Sequence, residues 1–270
     1  MFLEEIKRAF SRMSFKLMIL VGCAFCIKSL IDANLFKSSS EELISQYLGG
    51  YINTSFSNFI FFKANPLGNF FIIIMPILCA FSFSDSYIED RKSGIIENIY
   101  TRKSKIRYLI NKYLVNFIVS GIAFAVPLLF DYLLCIMLMP SINSDPVLTG
   151  KIISRGGLFS DLFYSKPNLY ILMWIVIYFL FAGAFASIAL CSSKFIKNKY
   201  VVIFVPFILN FIITMLCERT DSLKFAPVNF LYCFTQNSFI IILSEFIIIS
   251  IITFGLFCFI GVKNDVYKMD

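Results

Sequence analysis

Histidine is absent from this chain of 270 residues, and charged side chains make up only 15% of it. Without histidine there is no Ser–His–Asp triad, no histidine-ligated zinc and no HExxH protease motif. The chain also lacks the Gly-x-x-x-x-Gly-Lys-Ser/Thr sequence of a P-loop, so it cannot bind ATP in that way. These absences exclude several common classes of hydrolase and a P-loop ATPase.

Apolar residues dominate what is present: 59% of the chain is hydrophobic, and 33 residues are Phe. Soluble proteins carry charge on about 25% of residues. A soluble domain of this size cannot bury so much apolar surface, so lipid is the expected solvent. The net charge of +7 then reflects Lys and Arg in loops on one side of a membrane rather than nucleic-acid binding.

Six apolar segments reach the length of about 20 residues that a membrane span needs. They lie near 17–34, 69–86, 113–139, 169–192, 200–217 and 239–262. The sequence therefore predicts an all-α membrane protein, with residues 1–270 as a single transmembrane domain. If the N-terminus is inside, sixteen Lys and Arg fall on the inner side and seven on the outer side. This bias predicts that both termini are cytoplasmic.

The segment 1–16 has the pattern of an amphipathic helix. Its apolar residues fall on one arc, with charged and polar residues opposite. The apolar set is Phe2, Leu3, Ile6, Phe10, Met13 and Leu17. A basic amphipathic helix before a span is expected to lie in the inner membrane surface. It serves either as a simple anchor or as an elbow that cradles a cytoplasmic partner.

A charged loop, 85–112, joins the second and third predicted spans and holds seven of the 24 Lys and Arg. Gly94 breaks the chain just before a short predicted helix in this loop. One face of that helix is apolar, and consists of Ile95, Ile96, Ile99 and Tyr100. An apolar helical face in the cytoplasm is expected to dock on the membrane surface or in a groove of another protein.

The loop reads Glu89-Asp-Arg-Lys-Ser-Gly94-Ile-Ile-Glu97, then Thr101-Arg-Lys-Ser-Lys105, then the third span from Tyr113. With six spans and an amphipathic N-terminal helix, this order resembles the permease subunits of ABC-2 type exporters. That family commonly has an acidic residue before a glycine, then apolar-apolar-Glu, a basic patch and the third span. The resemblance covers the whole chain in architecture and one loop at the level of motif.

The resemblance implies a coupling helix that docks in a groove of a soluble ABC ATPase homodimer. It assigns this role to Glu89, Gly94, Ile95, Ile96, Glu97, Ile99 and Tyr100. It also implies a second permease copy, or a homologous permease, so that two sets of spans line one path and rock between states. ATP and Mg would bind the ATPase, and no cofactor, metal or nucleic acid is expected on this chain. The implied location is the bacterial plasma membrane, as a multi-pass protein.

Ionisable residues within spans are costly, which makes each a functional hypothesis. Asp131 in the third span and Glu245 in the sixth are candidates for the substrate path, where they would attract a cationic or amphipathic substrate. The alternative is that they snorkel outward or bond to neighbouring helices. Lys28 and Asp32, four residues apart in the first span, are predicted to form an intramembrane ion pair.

Two outer segments and the cysteines complete the predictions. The outer segment 35–67, which contains the apolar patch 59–62, suggests a short outer helix dipping into the interface, and 225–234, broken by Pro, suits a short helix or a re-entrant hairpin. Cys23-x-x-Cys26 has redox spacing but lies in a span, which favours a structural role. Cys217 and Cys233 flank a predicted outer loop, and a disulfide between them is left open.

Three function classes follow from these features. The first is an exporter permease for an amphipathic peptide, toxin or drug, driven by a separate ATPase. The second is a membrane sensor or assembly factor without transport. The third, an intramembrane enzyme, needs a nucleophile–base pair or metal ligands on facing spans, and the absence of histidine disfavours it.

Overall fold

The computed structural model describes residues 2–32, 54–62, 66–101, 104–142, 153, 157–233 and 238–266. Within these ranges all regular structure is helical, with no strand. The first six helices are α1 (Phe2–Ser11), α2 (Met13–Asp32), α3 (Pro66–Phe83), α4 (Ser86–Lys92), α5 (Ile95–Tyr100) and α6 (Lys105–Leu138). The others are α7 (Ser160–Ser165), α8 (Pro167–Ser192), α9 (Lys199–Arg219), α10 (Pro227–Phe230) and α11 (Phe239–Val266), with a 3-10 turn at Leu223–Phe225.

Six helical segments are long and apolar enough to cross a membrane: α2, α3 with α4, α6, α8, α9 and α11. Each lies where the sequence predicts a span, so the prediction of an all-helical fold with six helices of spanning length and apolarity is confirmed. The third begins earlier than predicted, at Lys105 rather than near 113. Its 34 residues extend about 51 Å, well beyond a hydrocarbon core of about 30 Å. Its first turns therefore reach past the lipid to α4 and α5.

The most extensive helix packing among the described residues is between α6 and α8. Gly121 of α6 lies against the ring of Phe179, and Gly183 of α8 lies against the ring of Phe117. A Cβ added at Gly121 or Gly183 would come within 2.6 or 2.7 Å of the facing ring. Small residues let helices in a membrane approach closely. Each helix thus places an aromatic ring against a glycine of the other helix, and these two contacts fix the register of the crossing.

The outer segment 54–62 folds into the bundle as a series of turns. Its residues Phe59 to Phe62 are at most 3% exposed, and the ring of Phe61 lies 4.6 Å from that of Tyr178, centroid to centroid. The outer helix predicted within 35–67 falls mostly outside the described residues, and the described part, 54–62, has turns packed into the bundle. The aromatic side chains gain more contact by filling the space between the spans than by lying at the interface.

The N-terminal helix is shorter than the predicted 1–16. It ends at Ser11, and α2 begins at Met13, so the helix is interrupted at Arg12. Phe2 and Ile6 pack against the core of the bundle, whereas Leu3 is 70% exposed. The helix is thus docked on the spans by one part of its apolar arc, and its position in a membrane surface stays a prediction.

The segment before α11 contains the predicted short helix, α10. The Tyr178 hydroxyl donates a hydrogen bond of 2.6 Å to the carbonyl of Leu231, which holds this segment against α8. Cys217 and Cys233 are free thiols, so no disulfide joins them. Cys233 is instead within hydrogen-bond distance of the Tyr178 hydroxyl, at 3.4 Å. Cys26 is also free, and its thiol donates to the carbonyl of Pro127.

Candidate functional site

The candidate site is the end of the bundle where α1, α4 and α5 lie, here called the basal end. Gly94 separates α4 from α5 with φ at +69°, a left-handed conformation that glycine adopts without steric cost. The break turns the chain so that α5 begins in a new direction. The Lys and Arg bias predicts that this end faces the cytoplasm.

The inner face of α5 packs on the protein's own spans. Ile96 is 7% exposed and belongs to a cluster with Tyr108 and Leu109 of α6 and Phe257 of α11. Ile99 and Tyr100 are partly buried against the same cluster. The expectation that the whole apolar face awaits a partner is therefore wrong. Residues spaced at i, i+3 and i+4 from Ile96 cover the basal ends of α6 and α11 instead.

The outer face of α5 is exposed. Ile95 is 41% exposed, and Glu97 and Asn98 are also exposed. The seven residues assigned to coupling by resemblance thus divide into two groups. One group attaches the helix to the spans, and the other is open to a partner.

A buried carboxylate, Asp90 of α4, joins three elements at the basal end. Its Oδ1 accepts a hydrogen bond of 2.6 Å from Arg8 of α1, and its Oδ2 accepts from Tyr108 at 2.8 Å and Lys112 at 2.6 Å, both on α6. Lys112 also forms an ion pair with Glu5 of α1. The side chains of Asp90 and Lys112 are 1% and 0% exposed. A buried charge left without its partner is strongly destabilising, so this network fixes α1, α4 and α6 together.

A second set of ion pairs extends the network to Arg12, between α1 and α2. Arg12 donates a hydrogen bond of 2.7 Å to Asp85, just before α4, and forms an ion pair with Glu89. Glu89, assigned to coupling by resemblance, therefore bonds within its own chain, although its side chain is 41% exposed.

The environment of Arg8 favours its charged form. Burial lowers the pKa of Arg8, but the hydrogen bond and charge of Asp90, with the charges of Glu5 and Glu89, raise the pKa above its ordinary value. The amphipathic helix is thus attached by permanent charge as well as by apolar packing.

Lys194, just after α8, attaches α4 to the last span. Its ammonium group donates a hydrogen bond of 2.5 Å to the Tyr87 hydroxyl. It also lies 4.8 Å from the ring centroid of Phe257 on α11, within the distance of a cation–π interaction. The helix pair α4–α5 is consequently held from both sides of the bundle.

Beside this contact a pocket of about 250 Å³ opens between α4 and the α8–α9 connection. Arg91, Lys92 and Lys197 line it, together with Ile88, Ser193 and Ile196. The three cations are exposed. The pocket is suited to acidic side chains or other anions.

The two predicted path residues have different environments. Asp131 is fully buried, and its Oδ2 accepts a hydrogen bond of 3.0 Å from the backbone N–H of Ile60. It holds the outer turn in the bundle, and its Oδ1 is buried with no hydrogen-bond partner among the described residues. Glu245 on α11 is partly exposed, and its Oε1 is buried with no hydrogen-bond partner among the described residues.

Lys28 and Asp32 are both exposed at the end of α2. Among the described residues no ion pair joins them. Side chains at the end of a span are long enough to reach water or headgroups, which competes with a weak surface pair.

Sequence reasoning missed the residues that hold the basal end together. Asp90 and Lys112 were counted as ordinary loop charges, because α6 was expected to begin near 113. The available signal is that Tyr108, Leu109 and Lys112 share one helical face with Val115 and Val119 of the span. That continuity places Lys112 inside a helix and on its buried side.

No protein-family model, no curated protein and no solved structure matches the chain. Among the described residues no group of three or more His, Cys, Asp or Glu is placed to hold a metal ion. The resemblance to ABC-2 permeases therefore stays a prediction from the sequence, and the function is a proposal from the basal geometry.

Proposed function

We propose that this chain is the membrane-spanning subunit of an ATP-driven exporter of amphipathic molecules, with α5 as its coupling helix. The observation that carries the proposal is the division of α5 into two faces. Ile96, Ile99 and Tyr100 attach it to the spans, and Ile95 with its neighbours is exposed. A partner that pushes on the outer face therefore moves the spans.

The basal ion pairs support this role because they link α5 to the rest of the bundle. α4, which leads directly into α5, is tied to α1 and α6 through Asp90 and to α8 and α11 through Lys194. A helix held only by a flexible loop would absorb a partner's motion. One held by buried charges passes the motion on as a rigid-body shift.

The partner is a soluble ABC ATPase dimer, which supplies the P-loop that this chain lacks and binds ATP and Mg. Its docking surface is acidic, to complement Arg91, Lys92 and Lys197 around the basal pocket. The basal end with both termini then lies in the cytoplasm of a bacterium. A second permease copy completes the transport path, and the sparse burial of α9 and α11 leaves surface for it.

The test is purification of a tagged chain from its native host in mild detergent. A soluble ABC ATPase is expected to co-purify, and the complex is expected to hydrolyse ATP faster when an amphipathic substrate is present. Raising the salt concentration from low to high is expected to dissociate the ATPase, because exposed charge pairs are screened. If the chain purifies without an ATPase at low salt, the exporter proposal is wrong.

A further inference from the structure

An apolar cleft of about 330 Å³ opens between three spans on the sparsely packed side of the bundle. Helix α8 contributes Phe185 and Ile188, α9 contributes Pro206 and Leu209, and α11 contributes Ile252 and Leu256. Pockets of about 300 to 1,000 Å³ with mostly apolar walls are typical of small-molecule sites. The cleft therefore has the size and surface of a site for one small apolar molecule.

One polar side chain in the cleft has a buried atom that the described residues leave without a hydrogen bond. Asn210 of α9 lines it and is only 6% exposed. Its Oδ1 has no hydrogen-bond partner among the described residues. A buried carboxamide without a partner is costly, and an apolar residue would fill the same space without that cost.

The other hydroxyl groups of the cleft are paired. Thr253 of α11 lines it as well, and its hydroxyl is 2.9 Å from that of Tyr113. Ser192 at the end of α8 also lines it, and its hydroxyl donates a hydrogen bond of 2.9 Å to the carbonyl of Ile188. Asn210 therefore differs from both of these residues in having a buried polar atom without a partner among the described residues.

We propose that the cleft binds an uncharged amphipathic molecule, with its apolar body against α8 and α11 and one amide or hydroxyl group bonded to Asn210. A lipid acyl chain fills the volume but leaves the carboxamide unpaired, so it is the poorer occupant. That this molecule is the exported substrate rests on the exporter proposal, but its binding to the cleft does not.

The test uses the purified chain in phosphatidylcholine nanodiscs without an ATPase. Two fluorescent probes are titrated: N-phenylnaphthylamine, which has one N–H donor, and its N-methyl derivative, which has none. The wild type is expected to bind the N–H probe about tenfold more tightly, the effect of one hydrogen bond to a buried acceptor. In Asn210→Leu the two probes are expected to bind equally.

The matched control is Asn168→Leu. Asn168 is at the start of α8, and its Oδ1 already accepts a hydrogen bond from Tyr132, so this variant is expected to keep the tenfold preference. If Asn210→Leu keeps the preference as well, the carboxamide does not bind the ligand and the proposal is wrong. The proposal is also wrong if Asn210→Leu leaves probe binding unchanged but dissociates a dimer of the chain, since the cleft then belongs to a contact between copies.

Different measurements would contradict the exporter proposal and the ligand-site proposal. Absence of a co-purifying ATPase removes the exporter and leaves the probe result standing. Equal binding of the two probes to the wild type removes the ligand site and leaves the coupling role of α5 untouched.

Discussion

The buried charges of the basal end and the buried carboxamide of the cleft between α8, α9 and α11 differ in their hydrogen-bond partners. At the basal end Asp90 and Lys112 are buried, and each has more than one partner on another helix. In the cleft Asn210 is buried, and its Oδ1 has no partner among the described residues. Paired charges hold helices together, whereas an unpaired buried acceptor gains from a hydrogen bond to a molecule outside the chain. The contrast agrees with the two proposals, in which the basal end transmits force and the cleft binds a ligand.

The packing of the helices follows the same division. In α8, 67% of an apolar stretch of 18 residues is buried within the chain, and in the corresponding stretch of α11 the share is 11%. A span that buries so little must find its contacts in lipid or in another protein. The open side of the molecule is therefore accessible to a ligand and to the second permease copy of the proposed exporter.

The largest expected effect comes from breaking the basal network with Asp90→Asn. It leaves Lys112 buried with only Glu5 as a charged partner, and is expected to lower the free energy of unfolding by about 3 kcal/mol. The measurement is an SDS titration of the purified protein in bicelles. Adding Lys112→Met removes the orphaned charge and should recover part of the loss. An effect of Asp90→Asn too small to measure would mean that the network does not hold the basal end.

A smaller loss in the free energy of unfolding is expected from Gly183→Ala, which tests the packed side of the bundle, where α6 contacts α8. The new Cβ meets the ring of Phe117, and overpacking of this kind costs about 2 kcal/mol. Gly255→Ala on α11 is the matched control, because nothing lies within 4 Å of its Cβ position. That variant is expected to be neutral or more stable by up to about 1 kcal/mol. Equal losses in the two variants, measured by the same titration, would contradict the division into packed and open sides.

Asp131 sharpens the boundary between structural and ligand-binding polar groups. Asp131→Leu removes the acceptor for the Ile60 N–H and is expected to cost about 1 to 2 kcal/mol, while Asp131→Asn keeps an acceptor and costs less. If Asp131→Asn instead abolishes transport in vesicles with unfolding unchanged, the residue acts on the substrate, as the sequence first indicated.

The smallest change in the free energy of unfolding is expected from a substitution in the cleft. Asn210→Leu removes a buried polar group that stabilises nothing in the chain, so the free energy of unfolding should stay the same or rise by about 1 kcal/mol. A loss as large as that of Asp90→Asn would show that the carboxamide is part of the fold, and the contrast between the two regions would disappear.

The spans could be predicted from sequence because lipid imposes length and apolarity on each of them independently. The buried turn at 59–62 could not, because the same four apolar residues fit either an interface or a core. The choice depends on contacts distant in sequence, the ring of Tyr178 and the carboxylate of Asp131. The inward face of α5 was missed for a related reason. Its residues are spaced for a partner, and periodicity alone does not say whether that partner is another protein or the basal ends of α6 and α11.

The most direct test of α5 as the link to an ATPase compares the variants Ile95→Asp and Ile142→Asp. The two isoleucines are 41% and 44% exposed and lie at opposite ends of the bundle. Neither variant is expected to change membrane insertion, so association of the ATPase with the purified chain is the measurement. Loss of the ATPase in Ile95→Asp alone is the predicted result. Retention of the ATPase in Ile95→Asp, or its equal loss in both variants, would contradict the coupling role of α5.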